Sequence, residues 1–292
     1  MGDLAGKIVL VTGASRGIGK GIACALAEQG ATVYVTGRTV SPGEHTLPGS
    51  LEETVADVGA RGGRGVAVAL DLADDTQIAD LFARIERDEG RLDLLVNNAM
   101  AIPEAMTRKV GFWEKPLDEW AIWDTGVRAA FICAWHAARI MVPQRRGLIA
   151  ALSGYVGVTY TYDVIFGTTK TATDRMMRDM AIELAGTGVT ALSLWQGFTY
   201  TERAQENLRT VPGMAQQLNS SVGSSPEFPG RVIAALLADP DLNSRSGGTF
   251  INAELAAEYG VTDKGGRSIP SLRDTRGAPL WEPGSRTWHE NA

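Results

Sequence analysis

Several features that mark particular protein classes are scarce in this sequence of 292 residues. Its two cysteines, Cys24 and Cys133, are too few for a disulfide scaffold, and its three histidines lack the spacing of metal ligands. No apolar run reaches the roughly 18 residues of a membrane-spanning helix. A net charge of -6 offers no basic surface for phosphate backbones. We therefore expect a cytoplasmic protein with a small-molecule substrate, no metal, and no nucleic acid or membrane as partner. We expect two buried free thiols, the alternative being a disulfide between them.

What the sequence has is a regular alternation of short apolar runs with segments of helical periodicity. The apolar runs are 7–13, 31–37, 65–71, 92–98, 147–153 and 189–195. Such continuous runs are typical of parallel strands buried on both faces, and parallel neighbours need crossover helices. The pattern predicts an α/β fold, a Rossmann-type doubly wound parallel sheet of about seven strands in three layers, α/β/α. We expect this domain over residues 1–252 and a C-terminal extension over 253–292 packed on it, with a short helix at 255–260.

A glycine-rich segment, VTGASRGIGKG, follows the first apolar run and opens the first helical one. Gly13, Gly17 and Gly19 allow a tight turn that brings backbone N–H groups and a helix N-terminus up to a pyrophosphate. A glycine triplet alone is a weak signal, because ordinary turns use the same residues. The strand before it and the helix after it supply the required context, so we predict that this segment binds a dinucleotide.

The end of the second strand indicates which dinucleotide it is. An acidic residue there would hold the ribose of NAD, whereas an arginine suits the 2′-phosphate of NADP. This chain has Gly37 in that place, followed by Arg38, and Arg16 in the glycine loop can reach the same corner. We therefore predict NADP(H), the alternative being two solvated surface arginines.

Further motifs carry a resemblance to a known family. TGASRGIG, DLA at 71–73, NNA at 97–99, a lysine at 170 and a glycine turn at 197 occur together over roughly residues 5–250. In this combination the chain resembles the classical short-chain dehydrogenase/reductases, and GRLDLLVNNA, SLWQGFTYTE and LAAEYGVTDKGGR resemble the branch typified by dehydrogenase/reductase SDR family member 1. The resemblance implies an oxidoreductase that forms a homodimer or homotetramer through the helices at about 117–141 and 165–185.

The same resemblance implies a set of cofactor-binding residues. Asp71 and Leu72 would line the adenine pocket, Asn97 would lie along the cofactor, and Thr201 would hold the nicotinamide carboxamide. The full set is Gly13, Ser15, Arg16, Gly17, Ile18, Gly19, Arg38, Asp71, Leu72, Asn97, Lys170, Gly197 and Thr201.

The catalytic group that the resemblance implies is incomplete. The family uses a tyrosine hydroxyl as general acid or base, a lysine four residues later that lowers the tyrosine pKa, and a serine that orients the substrate carbonyl. Lys170 is present, and Ser153 lies thirteen residues before position 166. That position is Phe166, which has no proton to transfer, and a further family asparagine corresponds to Gly126.

Three explanations of Phe166 stay open. The first is a natural or engineered variant with a disabled site, since loss of a positioned general acid costs about 10² to 10⁴ in rate. The second is another proton donor, with Tyr162 as first choice, then Tyr155, Tyr160, Asp163 and Tyr200. The third is chemistry that needs no such acid, such as hydride transfer to an acidic or conjugated acceptor, or a non-redox elimination or isomerisation. A catalytically silent NADP-binding protein is the rival from another class.

The substrate is indicated only in outline. A long loop at 99–117 follows the fourth strand, and ligands of such sheets bind outside the carboxyl ends of the strands. Seven aromatic residues either line an apolar pocket for a ring-bearing or lipid-like substrate there or belong to the core and interfaces. They are Phe112, Trp113, Trp120, Trp123, Trp195, Phe198 and Tyr200.

Overall fold

The computed structural model describes residues 4–210 and 222–283. These residues form two compact units. The first unit takes its residues from 1–70, 196–240 and 251–271. The second unit takes its residues from 71–195, 241–250 and 272–292.

The strands form a seven-stranded sheet in the order β3-β2-β1-β4-β5-β6-β7. They are β1 (Ile8–Val11), β2 (Thr32–Gly37), β3 (Arg64–Ala69), β4 (Leu94–Asn97), β5 (Gly147–Gly154), β6 (Val189–Gln196) and β7 (Thr249–Ile251). Neighbours run parallel, with Val9 opposite Val33 in β1 and β2 and Leu95 opposite Ile149 in β4 and β5. The predicted Rossmann-type parallel sheet is confirmed, and each of the six apolar runs overlaps a strand.

The helices alternate with these strands. They are α1 (Gly17–Ala27), α2 (Leu51–Ala60), α3 (Asp75–Glu89), α4 (Ala121–Trp123), α5 (Ala129–Gln144), α6 (Val164–Glu183), α7 (Glu202–Thr210), α8 (Phe228–Leu237), α9 (Asn252–Tyr259) and α10 (Arg273–Arg276). The helix predicted at 255–260 is confirmed as α9. The predicted loop at 99–117 contains two short 3-10 helices, Glu104–Thr107 and Phe112–Glu114, and meets a third at Leu117–Trp120.

Local chemistry explains where three of the long helices begin. Ser50 before α2, Asp74 before α3 and Asp163 before α6 each accept a hydrogen bond from a backbone N–H of the first turn. Such caps satisfy donors that have no partner within the helix. Helix α3 then ends at Gly90, whose φ of 65° is a left-handed conformation that glycine adopts without strain.

The core of each unit consists of strand residues and the apolar faces of the helices. In the first unit Val9 and Val33 are wholly buried, and in the second unit Leu95 and Ile149 are. Cys24 and Cys133 are buried free thiols, as predicted. Among the described helices, none combines the length and apolar composition that a membrane crossing requires.

The predicted C-terminal extension falls in both units. Residues 253–271 belong to the first unit and 272–283 to the second, and residues 284–292 lie outside the described part of the chain. The domain boundary at 252 stays a prediction.

Candidate functional site

The glycine loop of the first unit ends in the first turn of α1. Gly13 and Gly17 have φ values of 65° and 59°, a region in which a side chain is strained. The Gly17 N–H donates a hydrogen bond to the Glu202 carboxylate, with 2.9 Å between nitrogen and Oε2. The start of α1 therefore holds an anionic group, which is what a phosphate-binding helix terminus is suited to do. The contact shows that the Gly17 N–H can bond to an anionic oxygen, which binding of a diphosphate at this loop would require.

Other predicted cofactor residues of the first unit surround this loop. A Cβ built on Gly17 would lie 3.5 Å from Thr201 Cγ2, so Thr201 is next to the loop. The Thr201 hydroxyl accepts a hydrogen bond from the N–H of Ala204 in α7. Ser15 is buried against Gly37, and Gly19 is buried while Ile18 is half-buried. Within the described residues, no atom lies within 4 Å of a Cβ built on Gly197.

Three arginines meet at the corner beyond β2. Arg16 donates from Nη2 to the Gly49 carbonyl at 2.8 Å and from Nε to the Pro48 carbonyl at 3.0 Å, while Arg38 is exposed. Desolvation lowers the pKa of His45, and the positive charges of Arg16, Arg203 and Arg38 lower it further. All three guanidinium groups therefore act on one imidazole. Arg203 was missed from the sequence because only the fold brings it to Arg16.

The cofactor residues predicted in the second unit make internal contacts. Asp71 Oδ1 accepts the Ala73 N–H at 3.0 Å, which closes a turn before α3, and Leu72 is half-buried. Asn97, the last residue of β4, is buried and donates from Nδ2 to the Ala130 carbonyl at 3.0 Å. This bond fixes the Asn97 side chain against α5.

The second unit also brings three predicted catalytic residues together. Phe166 and Lys170 lie one turn apart on α6, and Ser153 lies near the end of β5. The Ser153 hydroxyl donates to the Lys170 carbonyl at 3.2 Å. Lys170 Nζ donates to the Leu152 carbonyl at 2.9 Å and lies 5.9 Å from the centre of the Phe166 ring. The spacing that predicted this group corresponds to real proximity, with an apolar ring where a hydroxyl is expected.

A second ionisable group, Asp174, acts electrostatically on Lys170. Part of Lys170 stays accessible, but protein surrounds its ammonium, and this desolvation lowers the pKa of Lys170 to about 8. Asp174 on α6 acts in the opposite direction on that pKa. Asp174 is buried and accepts hydrogen bonds from Ser193 and Trp195 of β6. Sequence reasoning missed Asp174, because its partners are distant in the chain.

The alternative proton donors differ in their surroundings. The Tyr162 ring lies 5.7 Å from the Phe166 ring, and desolvation raises the pKa of Tyr162 against the opposing charge of Arg276. Tyr160 is 75% exposed, and the Tyr155 hydroxyl accepts a hydrogen bond from a backbone N–H of the C-terminal segment. Asp163 caps α6 and forms a buried ion pair, and Tyr200 belongs to the first unit. Of the candidate tyrosines, Tyr162 has its ring beside that of Phe166.

A family model described as short chain dehydrogenase matches residues 7–211. The chain belongs to the short-chain dehydrogenase family. Members are oxidoreductases that use a nicotinamide cofactor, NAD or NADP, so the predicted family and class of cofactor are confirmed.

Two curated relatives and one solved structure support this membership of the short-chain dehydrogenases. The chain is 37% identical over 274 residues to dehydrogenase/reductase SDR family member 1 of Mus musculus, covering 90% of this chain and 85% of the relative. It is 30% identical over 252 residues to 3-oxoacyl-[acyl-carrier-protein] reductase of Synechocystis sp., covering 86% and 96%. A short-chain type dehydrogenase/reductase from Mycobacterium marinum superimposes with a TM-score of 0.72 at 27% identity, covering 85% and 94%.

This short-chain dehydrogenase has a tightly packed glycine at the position assigned to the family's asparagine. Gly126 lies in a π-helical segment, Asp124–Arg128, between α4 and α5. A Cβ built on Gly126 would lie 2.9 Å from Thr169 Cγ2, a contact that real side chains do not make. An asparagine here would therefore require the Thr169 side chain or this segment to shift.

The seven aromatic residues singled out in the sequence of this short-chain dehydrogenase divide into three groups. Trp195 is wholly buried and bonded to Asp174, so it is a core residue. Phe112, Trp113 and Trp120 are more than half exposed, and Trp123 stacks on Trp120 with 5.6 Å between ring centres. Phe198 and Tyr200 form an edge-to-face pair in the first unit. Whether the exposed residues contact a substrate stays a prediction.

Proposed function

We propose that this short-chain dehydrogenase is an NADP(H)-dependent oxidoreductase acting on a carbonyl or alcohol. In this proposal Phe166 replaces the family's catalytic tyrosine, so that activity is weakened or depends on another proton donor. The observation that carries the proposal is the retained contact of Ser153 and Lys170 beside the Phe166 ring. Both polar groups keep positions that suit the family reaction, and one hydroxyl is missing.

The preference for NADP(H) rests on charge at the corner beyond β2. Arg16, Arg38 and Arg203 all act on His45, and Gly37 supplies no carboxylate. A 2′-phosphate needs guanidinium partners, whereas two free ribose hydroxyls of NAD need an acid. When bound, the nicotinamide cofactor supplies or accepts the hydride.

The proton donor that we favour is Tyr162. Desolvation raises the pKa of its phenol, which therefore keeps its proton at neutral pH and suits a reduction in which the product alkoxide must be protonated. In this scheme Ser153 orients the carbonyl, and the Lys170 ammonium binds the cofactor ribose and stabilises developing negative charge.

The decisive experiment follows NADPH oxidation by absorbance against ketones, aldehydes, quinones and enones. Phe166→Tyr should raise kcat/KM by about 10² to 10⁴, the usual contribution of a positioned general acid. Tyr162→Phe should abolish the residual rate of the unchanged protein, while the control Tyr160→Phe, at an exposed ring, should not. Equal rates in the unchanged protein and all three variants would refute both assignments.

The cofactor preference has its own test. Titrations with NADPH and with NADH, followed by tryptophan fluorescence, should show that NADPH binds more tightly. Arg16→Ala should weaken the binding of NADPH far more than the binding of NADH. The exposed Arg175→Ala on α6 is the control. Loss of affinity for both dinucleotides to the same extent would contradict a role of Arg16 at the 2′-phosphate.

A second candidate function is a catalytically silent NADP-binding protein. The observation in its favour is the Phe166 ring itself, which cannot donate a proton. Tight NADPH binding, with turnover only after Phe166→Tyr, would establish it. NADPH binding without turnover in either protein would move the proposal to a non-redox elimination or isomerisation.

We also propose that the protein is cytoplasmic and forms homodimers or homotetramers. Phe131 and Trp135 lie one turn apart on α5 and are each about half exposed, which favours a partner on that helix face. Light scattering should show an oligomer for the unchanged protein and a species of smaller mass for Trp135→Glu. A monomer in both would refute the association.

A further inference from the structure

Asp174 lies on the same helix as two of the candidate catalytic residues, although the proposed reaction gives it no role. It lies four residues after Lys170 and eight after Phe166, so the three share one face of α6. Only 2% of Asp174 is exposed. Its Oδ2 accepts the indole N–H of Trp195 at 2.8 Å, and its Oδ1 accepts the Ser193 hydroxyl.

The groups that face this carboxylate are one cation and several neutral donors. Ser193 and Trp195 approach from β6 and Ser153 from β5, and Lys170 supplies the positive charge from α6 itself. Gly157, in the turn after β5, packs near Oδ2. A buried carboxylate costs free energy unless a charge or hydrogen bonds compensate it. Desolvation raises the pKa of Asp174, and the three neutral donors and the Lys170 ammonium act against that rise.

The ammonium of Lys170 needs a counter-charge for the same reason. Its hydrogen-bond partner is a neutral carbonyl, that of Leu152. In the usual family site a tyrosinate can stand beside this lysine, but Phe166 carries no charge. Asp174 is the carboxylate that acts on Lys170 from within the same helix.

We infer that Asp174 is a positioning residue, which ties α6 to β6 and supplies the counter-charge that keeps Lys170 protonated for the cofactor ribose. The inference rests on the proposed function in one respect, that Lys170 binds the cofactor. The ionisation of Lys170 can be measured without any cofactor, so the two can fail separately.

The first test is an NMR titration of protein labelled with [ε-13C]lysine, with the Lys170 signal assigned from Lys170→Met. The unchanged protein should titrate at about pH 8, because desolvation lowers the pKa of Lys170 to about 8. Asp174→Asn should lower the midpoint, because the Asp174 charge raises the pKa of Lys170, and Asp174→Glu should restore it. The matched control is Asp179→Asn, which removes an exposed carboxylate from the same helix. An unchanged midpoint in Asp174→Asn would overturn the inference.

A reciprocal measurement keeps the test decisive if Asp174→Asn does not fold. Coupling between two ionisable groups is symmetric, so removing the Lys170 charge must raise the pKa of Asp174 by the amount that Asp174 raises the pKa of Lys170. Protein labelled with [γ-13C]aspartate should therefore show the Asp174 carboxyl titrating at higher pH in Lys170→Met than in the unchanged protein. No difference would overturn the inference.

The consequence for the cofactor is a shifted pH profile of binding. Below about pH 8 the ammonium is charged, so NADPH affinity should be constant there and fall as pH rises through that value. Asp174→Asn should start this fall at lower pH, whereas a residue that only held the helix would lower affinity at every pH. If NADPH does not bind the unchanged protein, the proposed function fails while the NMR result still decides the role of Asp174.

Discussion

Replacement of Asp163 should destabilise the second unit by an amount that follows from its contacts. Asp163 begins α6 and accepts the Phe166 N–H at 2.6 Å. Its other oxygen lies 3.2 Å from Lys115 Nζ, and both side chains are less than 5% exposed. Lys115 also lies 3.6 Å from Glu119 and donates to the Met106 carbonyl at 3.0 Å.

Asp163→Asn keeps an oxygen for the cap and removes the charge. Breaking a buried pair costs about 3–5 kcal/mol when the remaining charge is uncompensated. Since Glu119 still faces Lys115 and partly compensates its charge, we expect a smaller loss than this range, about 2 kcal/mol. Asp163→Ala also loses the cap, which adds about 1 kcal/mol. At roughly 2–4 °C per kcal/mol for a chain of this size, the melting temperature should fall by about 4–8 °C and about 6–12 °C.

Thermal and urea unfolding of both variants would measure these losses. The control is Asp179→Asn, which breaks an exposed pair with Arg175 on the same helix and should cost about 0–1 kcal/mol. If Asp163→Asn and Asp179→Asn have the same melting temperature and the same urea midpoint, the buried pair contributes nothing to stability and the reasoning is wrong. If Asp163→Ala is no less stable than Asp163→Asn, the cap is not used.

Three further predictions concern other parts of the molecule. Glu202→Gln should strengthen the binding of NADPH and of NADH alike by roughly five-fold. The reason is that it weakens a half-buried charged contact of about 1 kcal/mol that competes for the Gly17 N–H. Calorimetry showing equal or weaker binding by the variant would contradict this. Cys133, whose pKa burial raises to about 12, should resist iodoacetamide in the folded protein and react after unfolding, as peptide mass spectrometry would show; equal labelling would refute it. Ser50→Ala should cost about 1 kcal/mol in urea unfolding through loss of the α2 cap, whereas Ser41→Ala at an exposed contact should be neutral.

The sheet could be predicted from the sequence because buried parallel strands read as continuous apolar runs. Six runs located β1 to β6, and the glycine loop fixed the start of α1. Strand β7, Thr249–Ile251, was not located because three residues are too few to show a period. The 3-10 helices after β4 were also not predicted, since a single turn leaves no periodic pattern.

The candidate site could be predicted where its residues share one helix or one short segment. The spacing of Phe166 and Lys170 implied that they lie one turn apart, and they do. Arg203 and Asp174 could not be found this way. The first acts at a corner built from distant segments, and the second is recognised by its bonds to β6, which depend on tertiary packing.

The Gly17 N–H, at which we predict the cofactor diphosphate, is bonded to Glu202, so binding there would exchange one partner for another. A diphosphate that bonds to this N–H must displace the carboxylate, so the donor is satisfied before and after and one anion replaces another. The measured affinity for the cofactor would then reflect the difference in free energy between the bond of this N–H to the diphosphate and its bond to Glu202. Because Glu202 is the first residue of α7, such an exchange would also change what holds the start of that helix.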